Sequence, residues 1–231
     1  MGDMFGCYFI CLLSFFGFVG SALADENAIG RLENSATGET CSASLIAPDL
    51  VLTAAHCVGA LRNIEGDVDT EIVFRASGRA GSKTFVVSQR FEHPLYRLPG
   101  STPLRKLRFD MALFELAEPV PQAVAVPLAT GPEANIGEVL YLISWRANRP
   151  APPRQRACTV IGGAPNLVSI ACDVKGGESG APLLRETEAG LEVVAVLSSR
   201  FRVGEQPVGL ASNVAQRLPP LLDLIDALDG S

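Results

Sequence analysis

Two histidines in 231 residues make the search for a general base short. His56 lies in LVLTAAHCVG and His93 in FEHPLY. Among the hydroxyls, Ser179 in KGGESGAPLL is flanked by Gly176, Gly177 and Gly180. A GxSG stretch alone predicts only a tight loop, because glycine reaches backbone conformations closed to other residues. Chemistry at Ser179 would need a base, since an unassisted hydroxyl is a poor nucleophile near neutral pH. That base needs a buried acid to hold its tautomer and stabilise the imidazolium. Asp110, a lone acid entering the apolar run of RFDMALFEL, suits that part. A bare carboxylate there would be costly unless paired. The alternative for Asp110 is a turn residue that starts a strand.

The elements that must position these residues read as strands. Short apolar or alternating runs, separated by Gly, Pro, Asn and Asp, recur at 42–47, 50–54, 70–76, 83–89 and 111–116. Others follow at 138–144, 158–162, 167–174, 191–199 and 207–212. This spacing predicts antiparallel sandwiches or barrels and not alternating βαβ units. Helical periodicity is clear only in NVAQRLPPLLDLIDAL, residues 213–228, with its paired prolines near the first turn, where they are tolerated. Residues 147–156, ANRPAPPRQR, read as an exposed proline-rich loop that could mark the passage between two halves.

Residues 1–24 differ from the rest: they contain no Lys or Arg, and five of the eleven Phe. They end in Ala22-Leu23-Ala24, the small-x-small pattern of a signal-peptidase site, followed by polar residues. We expect a signal peptide over 1–24; an uncleaved membrane anchor is the alternative. Removal changes the formal charge from −6 to −5. Such an acidic chain without a basic run has no electrostatic footprint for nucleic acid. It leaves Cys41, Cys57, Cys158 and Cys172. An even count in an exported chain suggests two disulfides; of the three pairings, chain order favours 41 with 57 and 158 with 172. No CxxC or HxxxH spacing points to a zinc site.

Three blocks, TAAHC at 53–57, FDMALFEL at 109–116 and GGESGAP at 176–182, resemble the signatures of chymotrypsin-fold serine peptidases. They occur in that family's order, His then Asp then Ser. FEHPLY, EVLYLISW, LEVVAVLSS and PVGLASNV are similar to flanking segments of the family, so the likeness covers about residues 28–228. It is greatest to the compact bacterial secreted branch. The resemblance implies an all-β fold of two six-stranded antiparallel β-barrels (chymotrypsin-like) with a C-terminal helix. It places the N-terminal barrel at about 28–130, the C-terminal barrel at about 131–212 and the helix at about 213–228 of one domain, 25–231. It also implies that Ser179 attacks a carbonyl, His56 carries the proton and Asp110 orients His56. The amides of Gly177 and Ser179 would form the oxyanion hole, and Ser198 would pair with an extended substrate. The two disulfides would clamp the His56 loop and cross-link strands below the substrate pocket, each worth ~3 kcal/mol in the chain-entropy model.

The departures are informative. Glu178 stands where animal members carry an Asp that pairs with a newly cleaved N-terminal amine; AIGRL at 28–32 is the nearest counterpart of that terminus. Glu178 could find another partner, such as an Arg or Lys. Asp173, with Gly209 also assigned to substrate binding, stands where trypsin-like members place the acid at the pocket floor, which implies cuts after Lys or Arg; the alternative is an acid that follows the cysteine, as in bacterial relatives of differing specificity. Arg200 stands where open pockets have glycine; it could narrow the pocket, pair with Asp173 or attract an acidic side chain.

The expectation is thus a secreted or periplasmic serine endopeptidase working through an acyl-enzyme, with cleavage after basic residues as one preference. No metal or cofactor is required. Peptide or protein is the expected substrate and a monomer the expected state, with no stable membrane association after leader removal. The alternative is a catalytically silent or N-terminally locked module that binds peptides. A lipase of the α/β-hydrolase type would need the order Ser, Asp, His.

Overall fold

The computed structural model describes residues 25–61, 72–77, 82–145 and 152–230. The leader and the first half of the proline-rich stretch, 147–151, lie outside the described residues. Six strands close the first barrel in the order β1-β2-β3-β6-β5-β4. They are β1 (Ile29–Asn34), β2 (Thr40–Ala47), β3 (Leu50–Thr53), β4 (Ile72–Ala76), β5 (Lys83–Glu92) and β6 (Ala112–Leu116). Alternation builds them: β4 buries every second residue, so Ile72, Phe74 and Ala76 face the barrel interior. Gly30 is required where β1 crosses β4, because a Cβ there would lie 2.3 Å from the Arg75 carbonyl oxygen.

A second barrel is made of β8 (Val139–Ser144), β9 (Arg154–Ala164), β10 (Leu167–Ala171), β11 (Pro182–Thr187), β12 (Gly190–Val203) and β13 (Gln206–Asn213). Its order is β11-β8-β9-β10-β13-β12, and pairing of β11 with β12 closes it. The two-residue β7 (Ala129–Thr130) adds to β12 in parallel. The run LEVVAVLSS is continuous, not alternating, because β12 is buried on both faces. Val193 and Val196 join the core shared with the first barrel, while Val194, Ala195 and Leu197 fill the second. Two disulfides, Cys41–Cys57 and Cys158–Cys172, are present.

The helices depart from the sequence expectation. Helix α1 (Ala55–Ala60) carries His56, and α2 (Pro103–Arg108) precedes Asp110. The signal for α2 was a cap: Thr102 Oγ1 accepts from the Arg105 amide at 3.2 Å, with proline in the first turn. At the C-terminus, the paired prolines open a helix of their own. A short α3 (Val214–Arg217) comes first, and α4 (Pro219–Asp229) begins at Pro219, which has no N–H to donate to α3. Leu221 and Ile225, one turn apart on α4, pack on the core of the first barrel. Among the described residues, no helix is long and apolar enough to cross a membrane.

Candidate active site

The site forms where α1, the segment before β6, the Ser179 loop and β12 converge. Asp110 is 2% exposed. Its Oδ1 accepts from the His56 backbone amide at 2.8 Å, and its Oδ2 lies 2.7 Å from His56 Nδ1. Ser198 Oγ also donates to Oδ2. Helix α1 has no side-chain cap at Ala54, so the Asp110 carboxylate takes one of its orphan N–H groups. The Cys41–Cys57 bridge ties the residue after His56 to β2. Burial pushes the His56 imidazole down, but the hydrogen bond and charge of Asp110 outweigh it and hold it above its ordinary 6.5. Cys41, His56 and Cys57 cluster closely, but both sulfurs are in the disulfide, which leaves no thiolate for a metal.

His93 is a different kind of histidine. Burial, and then Arg217, push it down to about 4. Its Nδ1 accepts from the Leu95 amide, and its ring packs against Phe109 at 5.0 Å. It stays neutral at physiological pH, and its backbone amide donates to the Met111 carbonyl at 3.0 Å.

The Ser179 loop turns on two glycines in the left-handed region, Gly177 at φ 84° and Gly180 at φ 80°. A Cβ on Gly180 would lie 2.2 Å from the Ser42 carbonyl oxygen, so the loop lies directly on the first barrel. The Ser42 amide donates to the Ser179 carbonyl at 2.8 Å. The amides of Glu178 and Gly180 are bonded, to Lys175 O and Leu197 O. Those of Gly177 and Ser179 have no protein acceptor among the described residues. Two unclaimed donors on one turn are what a developing oxyanion requires.

Glu178 is 0% exposed. One carboxylate oxygen accepts from Arg156 Nη2 and from the Lys175 amide, each at 2.7 Å; the other accepts from Ser144 Oγ at 3.1 Å. Arg156 also donates to the Asp173 carbonyl at 2.7 Å. Its neighbours in sequence predict an exposed proline-rich loop; the structure puts it in β9 with its side chain 21% exposed. The counterpart of a processed N-terminus is committed elsewhere: Ala28 and Ile29 are fully buried, and Ile29 pairs with Ser44 of β2.

The specificity residues fall differently. Asp173 is not at the floor of a pocket: its side chain is 55% exposed and pairs with Lys175 Nζ at 2.5 Å. Lys175 beside it holds its carboxyl below the usual carboxylate range. The deeper space is filled by apolar atoms, since a Cβ on Gly209 would meet Ile170 at 2.9 Å and Val174 at 3.0 Å. A cavity of ≈ 280 Å³ remains, walled by Cys172–Lys175 on one side and Arg200–Arg202 on the other. Arg200 crosses it, donating to the Val174 carbonyl at 3.1 Å. Ser198 occupies an irregularity between β12 and β13, with its hydroxyl turned to Asp110.

A family model described as Trypsin matches residues 19–225, nine-tenths of the chain. A comparison with curated proteins found no match.

Two outcomes follow from these contacts. Arg156→Ala leaves the buried Glu178 carboxylate uncompensated and is expected to cost about 3–5 kcal/mol. Arg156→Met combined with Glu178→Gln costs clearly less; urea unfolding of both variants checks it. The His56 midpoint, followed by NMR, lies above 6.5 in the native protein. In Asp110→Asn both raising influences weaken while burial persists, so the midpoint falls below that value.

Proposed function

Because this chain belongs to the trypsin family of serine peptidases, we propose that it is an active endopeptidase with Ser179 as nucleophile. The observation that carries this reading is the pairing of His56 Nδ1 with the buried Asp110 carboxylate at 2.7 Å. That pairing fixes the tautomer in which Nε2 is free to take the Ser179 proton. Ser179 Oγ adds to the carbonyl carbon of the scissile peptide bond, and the proton passes to His56. The amides of Gly177 and Ser179 hold the oxyanion. The imidazolium then protonates the leaving amine, and water deacylates the enzyme by the reverse order of transfers.

Against the silent-module alternative, the pairing of His56 with Asp110 and the two amides without a protein acceptor support a working site. The locked alternative has the enzyme held by its own N-terminal segment until a partner or protease releases it, with Glu178 waiting for a newly made amine. Arg156 already meets that charge, so the serine loop is competent without a freshly cleaved amine. Two disulfides support an oxidising compartment, secreted or periplasmic, with residues 1–24 as the leader and 25–231 as the mature domain. The family model begins at residue 19, so the proposed cut falls six residues inside the match.

For the residue before the cut, the cavity favours an acid over a base. Three cations, Lys175, Arg200 and Arg202, line it against one acid, Asp173, which Lys175 already engages. Along the chain, one wall leads through Gly176 towards Ser179 and the other through Ser199 to Ser198.

Two measurements test this. A phosphonate or fluorophosphonate reagent should label the native protein at Ser179 and fail to label Ser179→Ala, whose turnover should fall by roughly 10⁶. Absence of labelling in correctly folded native protein would sink the assignment. Against a mixed peptide library, cuts are expected after Asp or Glu and should diminish in Arg200→Ala. Cuts after Lys or Arg would instead return pocket control to Asp173.

A further inference from the structure

A separate cavity of ≈ 310 Å³ lies where α2, the turn between β9 and β10, and α3 meet. Its lining includes Arg105, Arg108, Phe109, Asn166 and Arg217, and no acidic residue. Among the described residues, no carboxylate pairs with any of these three arginines. The contrast with the rest of the chain is sharp. The formal net charge is −6, and Arg31, Arg75, Arg97, Arg156, Lys175 and Arg185 each meet a carboxylate.

The cluster is built, not merely crowded. The Arg217 guanidinium lies 4.3 Å from the centroid of the Phe109 ring, and its Nε donates to the Arg108 carbonyl at 2.9 Å. Arg217 is thereby held beside Arg108, a like charge that, after burial, pulls it below the ordinary guanidinium range. Arg108 Nε is buried with no hydrogen-bond partner, and so is the Asn166 side-chain oxygen. A half-turn of the Asn166 amide would present its NH₂ group at that point. Asn166 itself sits in the left-handed region, at φ 68°, so the turn carries it at a conformational cost. Buried donors without partners cost free energy, and like charges held together add to it. An anion relieves both.

We propose that this cavity binds a tetrahedral oxyanion, phosphate or sulfate, free or as a monoester on another molecule. Guanidinium groups hold such anions through paired N–H donors in a fixed fork. Arg108 and Arg217 form the inner contacts, with exposed Arg105 at the rim. A carboxylate offers two oxygens to three forks, whereas phosphate or sulfate offers three or four. The site is distinct from the Ser179 crevice, although Phe109, which lines it, directly precedes Asp110.

Calorimetric titration of the native protein with sodium sulfate and sodium phosphate, against sodium chloride at equal ionic strength, tests the proposal. It requires no peptide cleavage, so it stands apart from the peptidase reading. Saturable binding of both oxyanions but not chloride is expected. Arg105→Gln with Arg108→Gln should weaken it by at least about tenfold, the loss of one or two charge-assisted hydrogen bonds. Arg105→Gln alone, at an exposed position, keeps the fold and should weaken binding by a smaller factor; its unfolding midpoint in chloride verifies the fold. Glucose 6-phosphate alongside inorganic phosphate separates the sources: tighter binding of the ester assigns a substituent on a larger molecule, and equal binding assigns the free ion. No saturable binding, or equal binding in the native and variant proteins, overturns the proposal. Sulfate's general exclusion from protein surfaces would raise unfolding midpoints equally in both.

Discussion

A carboxylate that is 2% exposed must be met by donors, and at Asp110 those donors come from both halves of the molecule. His56 supplies its backbone amide and its ring nitrogen from α1, on the first barrel. Ser198 supplies its hydroxyl from β12, on the second. An ion removed from water loses several kcal/mol of hydration, and only a well-formed set of partners restores it. The alignment of His56 is therefore tied to the docking of the barrels. Barrels that slid apart would deprive the acid of the Ser198 hydroxyl and loosen the crevice together. Fold and chemistry share this one constraint.

A second buried carboxylate repeats the logic on the other side of the crevice. Glu178 draws Arg156, Ser144 and the Lys175 amide onto the base of the serine loop. From the opposite side, the Ser42 amide holds the Ser179 carbonyl, while Thr53 Oγ1 donates to the Ser42 carbonyl at 2.9 Å. The two sets of contacts are unequal. A neutral hydrogen bond contributes about 1 kcal/mol net, whereas an uncompensated buried carboxylate costs several times that. The charged side decides whether the loop holds its shape, and the neutral side sets its register against the first barrel. Gly177 and Gly180 then allow a backbone path between the two that no other residue could follow without strain.

Local signals carried much of this into the sequence. The run before His56, the lone acid ahead of β6 and the glycines around Ser179 were legible because each depends on residues within a few positions. The strands were legible through apolar runs and alternation, and α2 could have been read from Thr102 and Pro103. What escaped were partners supplied by distant segments. Arg156 lies 22 residues from Glu178, in a proline-rich stretch whose composition reads as solvent-exposed loop. Ser198 lies 88 residues from Asp110, and a hydroxyl in an apolar strand gives no sign of which face it takes. Asp173 shows the limit most clearly. Its position before the serine was readable, but its direction depends on Lys175 drawing it outward and on Val174 and Ile170 filling the space behind Gly209.

Net charge misleads for a related reason. A formal −6 and the absence of any basic run describe a sum along the chain, whereas the potential in a cavity depends on distance and on which charges are already paired. Many of the acids here are spent locally: Glu138 and Glu192 on Arg185, Glu92 on Arg97, Glu33 on Arg31 and Arg75. Among the described cations without a carboxylate, several from separated segments meet in cavities: Arg105 and Arg108 with Arg217 in one, Arg200 and Arg202 beside Lys175 in the other. Folding thus gathers cations of a mildly acidic sequence into these two hollows. In both proposed readings the substrate or ion meets one of these hollows, whose sign is opposite to that of the chain as a whole.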